Sequence, residues 1–145
     1  MDREDFDRPL NKRGKRDAPR MAKHLLESGL CPDVIVSSPA RRARKTAEAV
    51  NRVCTEAVLK FDNKLYPGSA EDYVDVLTSL DENLVCAMLV GHNPGLEDWL
   101  RTLGVECERF PTAALAHLEL KIETWRDLNL NSRATSHGVW FPREL

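Results

Sequence analysis

Apolar positions along this chain repeat with two alternating periods. In "NKRGKRDAPRMAKHLLESG" Ala18, Met21, Ala22 and Leu25 recur at steps of three and four, which predicts a helix. Asn11 is its expected N-cap and Gly29 its stop, and Pro19 inside it predicts a kink or a start later than Asn11. "PDVIVSS" then reads as a short buried strand, and "PARRARKTAEAVNRVC" as a second helix with Ala43, Ala47, Val50 and Val53 on its apolar side. "AVLKF" is a weaker strand. "SAEDYVDVLTSL" is a third helix with Tyr73, Val76, Leu77 and Leu80 on one side and Ser69 as cap. "LVCAMLVG" is continuously apolar, as a central parallel strand should be. "PGLEDWLRTLG" gives a fourth helix with Pro94 in its first turn, "ALAHLELKI" alternates like an edge strand, and "HGVWFPREL" supplies a candidate last strand. Residues 1–10 show no period and read as a loop.

Strands alternating with helices predict an α/β fold: a three-layer sandwich, a mostly parallel central sheet with helices on both faces. No repeat, low-complexity tract or linker divides the chain, so residues 1–145 are read as a single domain. Hydrophobic residues make up 42% and charged residues 30%, a globular composition. The net charge of −2 gives no overall field toward nucleic acid, and aromatics at 6% are too few for base-stacking surfaces. The polar opening "MDREDFDRPL" has no signal-peptide pattern, and the longest apolar run is far short of a membrane span. Four cysteines at 31, 54, 86 and 107 form no CxxC pair. Cys54 and Cys86 lie in apolar stretches, so the expectation is buried reduced thiols and a cytoplasmic protein.

In such folds ligands sit beyond the carboxyl ends of the strands. That rule selects "SSPARR" and "GHNPG", each a strand end that turns into a helix. Helix starts present free N–H groups that favour an anion. Arg42 lies one turn into its helix, where a guanidinium can fork onto two phosphoryl oxygens. His92 leaves its strand directly after Gly91. If the two strands are neighbours, both side chains meet over one site. The plainer reading is that Arg41, Arg42, Arg44 and Lys45 form a solvated helix face and that His92 is structural.

Spacing removes several rival phosphate chemistries. There is no GxxxxGK[ST] loop. The residues six after the cysteines are Ser37, Lys60, His92 and Ala113, so a cysteine phosphatase is excluded. No HExxH occurs, and His92, Glu97 and Asp98 lack a familiar metal spacing.

The chain resembles the histidine phosphatase superfamily, in particular its small SixA-type phosphohistidine phosphatases. "DFDRPLNKRGKRDAPRMA" resembles that branch's first loop and helix, "SSPARRARKTAE" its second motif, "VGHNPGLEDWL" its third, and "FPTAALAHLEL" its late strand. The resemblance implies a phosphoglycerate-mutase-like sandwich. It implies that Arg42 is a phosphate-binding arginine and that His92 hydrogen-bonds the phosphoryl group. The implied reaction has two steps: a histidine attacks phosphorus, then water releases phosphate from the phosphohistidine. No cofactor or metal is implied. The substrate is a phosphorylated protein or a small phosphate ester. The family opens with a central strand ending in Arg-His, the first phosphate arginine and the nucleophile; this chain starts inside the loop that follows. His24, His117 and His137 are not expected to replace that nucleophile. Two expectations follow: codons upstream of Met1 encode the missing strand, and the chain as given shows little phosphatase activity. A non-catalytic phosphate- or phosphoprotein-binding module on the same fold is the alternative. Glu71, in "YPGSAED", corresponds to the region that supplies a leaving-group proton donor in many relatives.

Overall fold

A computed structural model describes residues 3–142 of the chain. The opening residues 1–2 and the last three of "HGVWFPREL" lie outside the described residues. The elements in order are α1 (Arg3–Asp7), α2 (Lys12–Glu27), β1 (Val34–Ser37), α3 (Arg41–Val53), β2 (Val58–Phe61), α4 (Ala70–Thr78), β3 (Ala87–Val90), α5 (Gly95–Thr102), β4 (Leu115–Leu120) and β5 (Ala134–Trp140). Strands β2, β1 and β3 form a parallel sheet in that order, and β4 pairs with β5 antiparallel.

Alternation along β1 builds the layers. Ile35 points into one core with Ala22 and Leu25 of α2 and Ala43, Ala47 and Val50 of α3. Val34 and Val36 point into the other, with Tyr73, Val76 and Leu77 of α4 and Trp99, Leu100 and Leu103 at α5. Side chains alternate sides along a strand, so one four-residue strand anchors both helix layers. The expected α/β sandwich is present, its sheet divided into a parallel and an antiparallel part.

The caps follow the sequence. The Asn11 side chain accepts the Gly14 N–H at 2.8 Å, and α2 begins at Lys12 with Pro19 inside it, so no later start is needed. Ser69 and Asp72 cap each other's backbone in a reciprocal box at the start of α4. Pro94 is the N-cap of α5 rather than part of its first turn.

Three expectations need correction. Residues 3–7 form the short helix α1, not a loop. "LVCAMLVG" supplies only four strand residues, half-buried apart from Val90, and Val85 is 84% exposed. β3 is the end strand of its sheet because its second edge faces a cleft of about 1040 Å³ that separates it from β4. The cysteines also differ: Cys31 and Cys54 form a disulfide, and Cys86 is exposed. The Cys31–Cys54 bond joins the loop before β1 to the C-cap of α3, so the reduced-thiol reading of Cys54 does not hold. No helix among the described residues is long and apolar enough to cross a membrane.

Candidate functional site

The site forms where β1 and β3 end side by side. Ser38 N–H donates to the Val90 carbonyl at 2.9 Å, which holds the two strand ends together. The chain then turns into α3 on one side and into the loop before α5 on the other.

Of the four basic residues at the start of α3, three point outward. Arg41, Arg44 and Lys45 are exposed, whereas Arg42 is partly buried and turns over the strand ends. Its Nη2 lies 3.3 Å from Nδ1 of His92. The solvated-face reading therefore describes three of the four, and Arg42 and His92 are in contact.

The partners of His92 fix its proton. A guanidinium only donates, so Nδ1 must be the acceptor and the ring proton sits on Nε2. Nε2 is 2.7 Å from Oγ of Ser38, a fully buried hydroxyl that also accepts the Ala40 N–H at 3.2 Å. The imidazole is thus neutral and oriented from both sides. Burial, with the Arg42 and Arg8 charges adding to it, lowers the His92 pKa to about 4.

Glycines in "GHNPG" have a packing cause. A Cβ at Gly91 would lie 2.0 Å from the hydroxyl of Tyr73, and one at Gly95 would lie 1.8 Å from the Gly68 carbonyl. Tyr73 is fully buried against Trp99, with ring centroids 5.5 Å apart, and its hydroxyl accepts the His92 N–H at 3.1 Å. Asn93 donates to the Phe110 carbonyl at 2.6 Å, tying this turn to the segment before β4.

A carboxylate meets Arg42 from the far side. Asp5 Oδ2 lies 3.2 Å from Arg42 Nη2 and accepts the Tyr66 hydroxyl, and Asp5 Oδ1 lies 2.7 Å from Arg8 Nη2. The Asp5 backbone carbonyl also accepts from Arg42 Nη1 at 2.6 Å. The Tyr66 hydroxyl and then Arg42 hold the Asp5 carboxyl below its ordinary pKa. Tyr66 stands edge-on to both Phe6 and His92, at 5.3 and 5.4 Å between centroids.

The other sequence candidates fall elsewhere. Glu71 is exposed in the first turn of α4, and its neighbour Asp72 is used by the cap. His24 packs on Trp140 with centroids 4.8 Å apart, and its buried Nε2 has no hydrogen-bond partner among the described residues. His117 lies 5.2 Å from His137, which pairs with Glu119 at 3.0 Å. Among the described residues no three His, Cys, Asp or Glu side chains are grouped to hold a metal ion. Sequence reasoning missed Asp5, Arg8, Ser38 and Tyr66. Arg8 and Ser38 lay in view inside "DRPL" and "SSP".

Comparison with known proteins agrees with this fold. The profile of the histidine phosphatase superfamily (branch 1) matches residues 3–66. The structure of a candidate phosphohistidine phosphatase SixA from Agrobacterium tumefaciens superposes with a TM-score of 0.81 at 28% identity, covering 95% of this chain and 86% of that one. A protein histidine phosphatase SixA complexed with tungstate superposes with a TM-score of 0.77 at 21% identity, over 99% of this chain and 90% of that one, which speaks for the fold. An uncharacterised chloroplastic protein of Arabidopsis thaliana is 28% identical over 133 residues, 85% of this chain. The chain spans 61% of that relative's length.

Proposed function

We propose, from a chain that resembles the histidine phosphatase superfamily in motifs and in fold, that this protein is a phosphatase of phosphohistidine or of a small phosphate ester. The observation that carries the reading is the contact of Arg42 with His92 at the joined ends of β1 and β3. A phosphoryl group seated there meets a forked, permanently charged donor and the start of α3. Arg8, whose Nη2 lies 2.7 Å from Asp5 Oδ1, adds a second positive charge near the His92 ring.

The roles follow from chemistry. Arg42 and Arg8 neutralise the phosphoryl oxygens and charge that spreads onto them in the transition state. His92, neutral and pinned by Ser38, holds Arg42 in place before the anion arrives. A bound dianion raises the affinity of the ring for a proton, and protonated Nδ1 then donates to a phosphoryl oxygen.

One observation favours a second reading. Both ring nitrogens of His92 are occupied by Arg42 and Ser38, and no other described histidine touches Arg42. For the chain as given, that fits a phosphate-binding module without turnover. Hydrolysis of phosphoramidate and of an aryl phosphate, with phosphate binding measured in parallel, separates the two. Turnover that Arg42→Ala abolishes supports the phosphatase. Binding that Arg42→Ala abolishes, without turnover, supports the module. Turnover and binding both indifferent to Arg42→Ala and His92→Ala remove the site.

A further inference from the structure

The donors that would receive a phosphoryl group are already gathered around an anion of the chain itself. Arg42 Nη2, Arg8 Nη2 and the Tyr66 hydroxyl converge on the Asp5 carboxylate, and Arg42 Nη1 is used by the Asp5 carbonyl. The carboxylate is planar, carries one charge and has two acceptor oxygens. A terminal phosphoryl group offers up to two charges and three oxygens. The two anions match in chemistry and compete for the same guanidinium edge.

The arrangement is held from behind. Asp5 sits on α1, whose Phe6 packs edge-on against Tyr66, and Tyr66 packs edge-on against His92. Tyr66 thus bonds the carboxylate and braces the helix that carries it. Asp5 remains partly open to solvent, with 33% of its side chain exposed, so a ligand arriving from outside can reach the pair.

We propose that Asp5 is an internal anion that occupies the phosphoryl seat and must be displaced by substrate. This rests on the reading of Arg42 as the phosphoryl-binding group. The exchange sets a threshold for ligands. Carboxylates and phosphodiesters carry a single charge, like Asp5, and do not outcompete a carboxylate already tethered there. A dianionic terminal phosphoryl group does. Asp5 is therefore a specificity-determining residue for the substrate class, and α1 is the element that shifts when substrate binds.

The test is inorganic phosphate titrated calorimetrically into the full chain and into Asp5→Asn, Tyr66→Phe and Arg42→Ala. Asp5→Asn removes the competing charge and is expected to bind phosphate about tenfold more tightly, roughly 1.4 kcal/mol. Tyr66→Phe keeps the ring contacts, loses one bond to Asp5, and is expected to tighten binding about two- to threefold. Dimethyl phosphate, a singly charged diester, is expected to bind Asp5→Asn and not the unaltered chain. If Arg42→Ala loses phosphate while Asp5→Asn binds it equally or more weakly, Asp5 positions Arg42 and the displacement is wrong. If Arg42→Ala binds as the unaltered chain does, the site reading itself fails. Should Asp5→Asn not fold, the Tyr66→Phe affinity decides: unchanged or weaker phosphate binding there overturns the proposal.

Discussion

The hydroxyl of Tyr73 accepts the backbone N–H of His92, and it occupies the space that any side chain at residue 91 would need. Gly91 is therefore required by a buried tyrosine and not by its own backbone angles. Gly91→Ala is expected to destabilise the fold by about 2–3 kcal/mol through overpacking. Tyr73→Phe leaves the His92 N–H without its partner and should cost about 1–2 kcal/mol. Urea denaturation of both variants checks the order. Equal stability of Gly91→Ala and the unaltered chain would contradict the packing argument.

Arg42 and Arg44 are two residues apart on one helix yet differ in direction. Replacing exposed Arg44 by Ala should leave phosphate binding within about twofold, since a surface charge contributes little at close range. Arg42→Lys keeps the charge and loses the fork, and should weaken binding about tenfold or more. A calorimetric comparison of the two variants suffices. Equal losses from both would mean that the basic cluster acts only through its overall field.

Stability should fall as the solution is acidified through the range set by His92. Its folded pKa of about 4 lies below the ordinary 6.5. Between those values the unfolded chain binds more protons than the folded one. Stability is therefore complete above about 6.5 and is lost as pH falls toward about 4, by on the order of 2 kcal/mol given partial solvent screening. His92→Gln should flatten that part of the stability profile. Nitrogen chemical shifts of the imidazole report the tautomer directly, with the proton expected on Nε2.

The Cys31–Cys54 bond closes a loop with a sequence separation of 23. Loop-closure entropy alone gives about 3 kcal/mol. Reduction with dithiothreitol, or the double change Cys31→Ser and Cys54→Ser, should lower denaturation stability by roughly that amount. Unchanged stability on reduction would show that the thiols are not bonded in solution.

The cleft beside β3 gives a residue-level pattern of hydrogen exchange. The Cys86 and Val90 carbonyls accept from Asp33 and Ser38 beside β1. Alternation then turns the N–H groups of Met88 and Val90 toward β1 and those of Ala87 and Leu89 toward the cleft. The last two amides should exchange about tenfold or more faster than their neighbours. Equal protection along the strand would mean that the cleft is closed in solution.

Much of this architecture was legible from periodicity. The apolar faces of α2, α3 and α4 are set by helical spacing, and most of the residues that spacing selected are buried; Val53 at the end of α3 and Leu80, two residues past α4, are only half-buried. β3 was misjudged because a continuous apolar run reports covered faces, whereas position within a sheet depends on edges, which leave no mark on composition. The helix α1 has five residues, too few to show a period. The disulfide was invisible because two cysteines in separate elements become neighbours only through the packing of α3 beside β1. At the site, Arg42 and His92 were marked by strand-end position, while Asp5 and Tyr66 are brought together from 61 residues apart by tertiary structure alone.

The three outward-pointing basic side chains of α3 have neighbours of the same sign. Helix α2 packs against α3, and its Lys12, Arg13, Lys15, Arg16 and Arg20 are all exposed. On a molecule with a net charge of −2, these two packed helices thus expose a local concentration of positive charge, on α3 within a few residues of Arg42. Ionic strength should then separate capture from grip: added salt slows the arrival of a phosphorylated ligand, because charges beyond about 10 Å are screened, yet leaves its departure from Arg42 nearly unchanged.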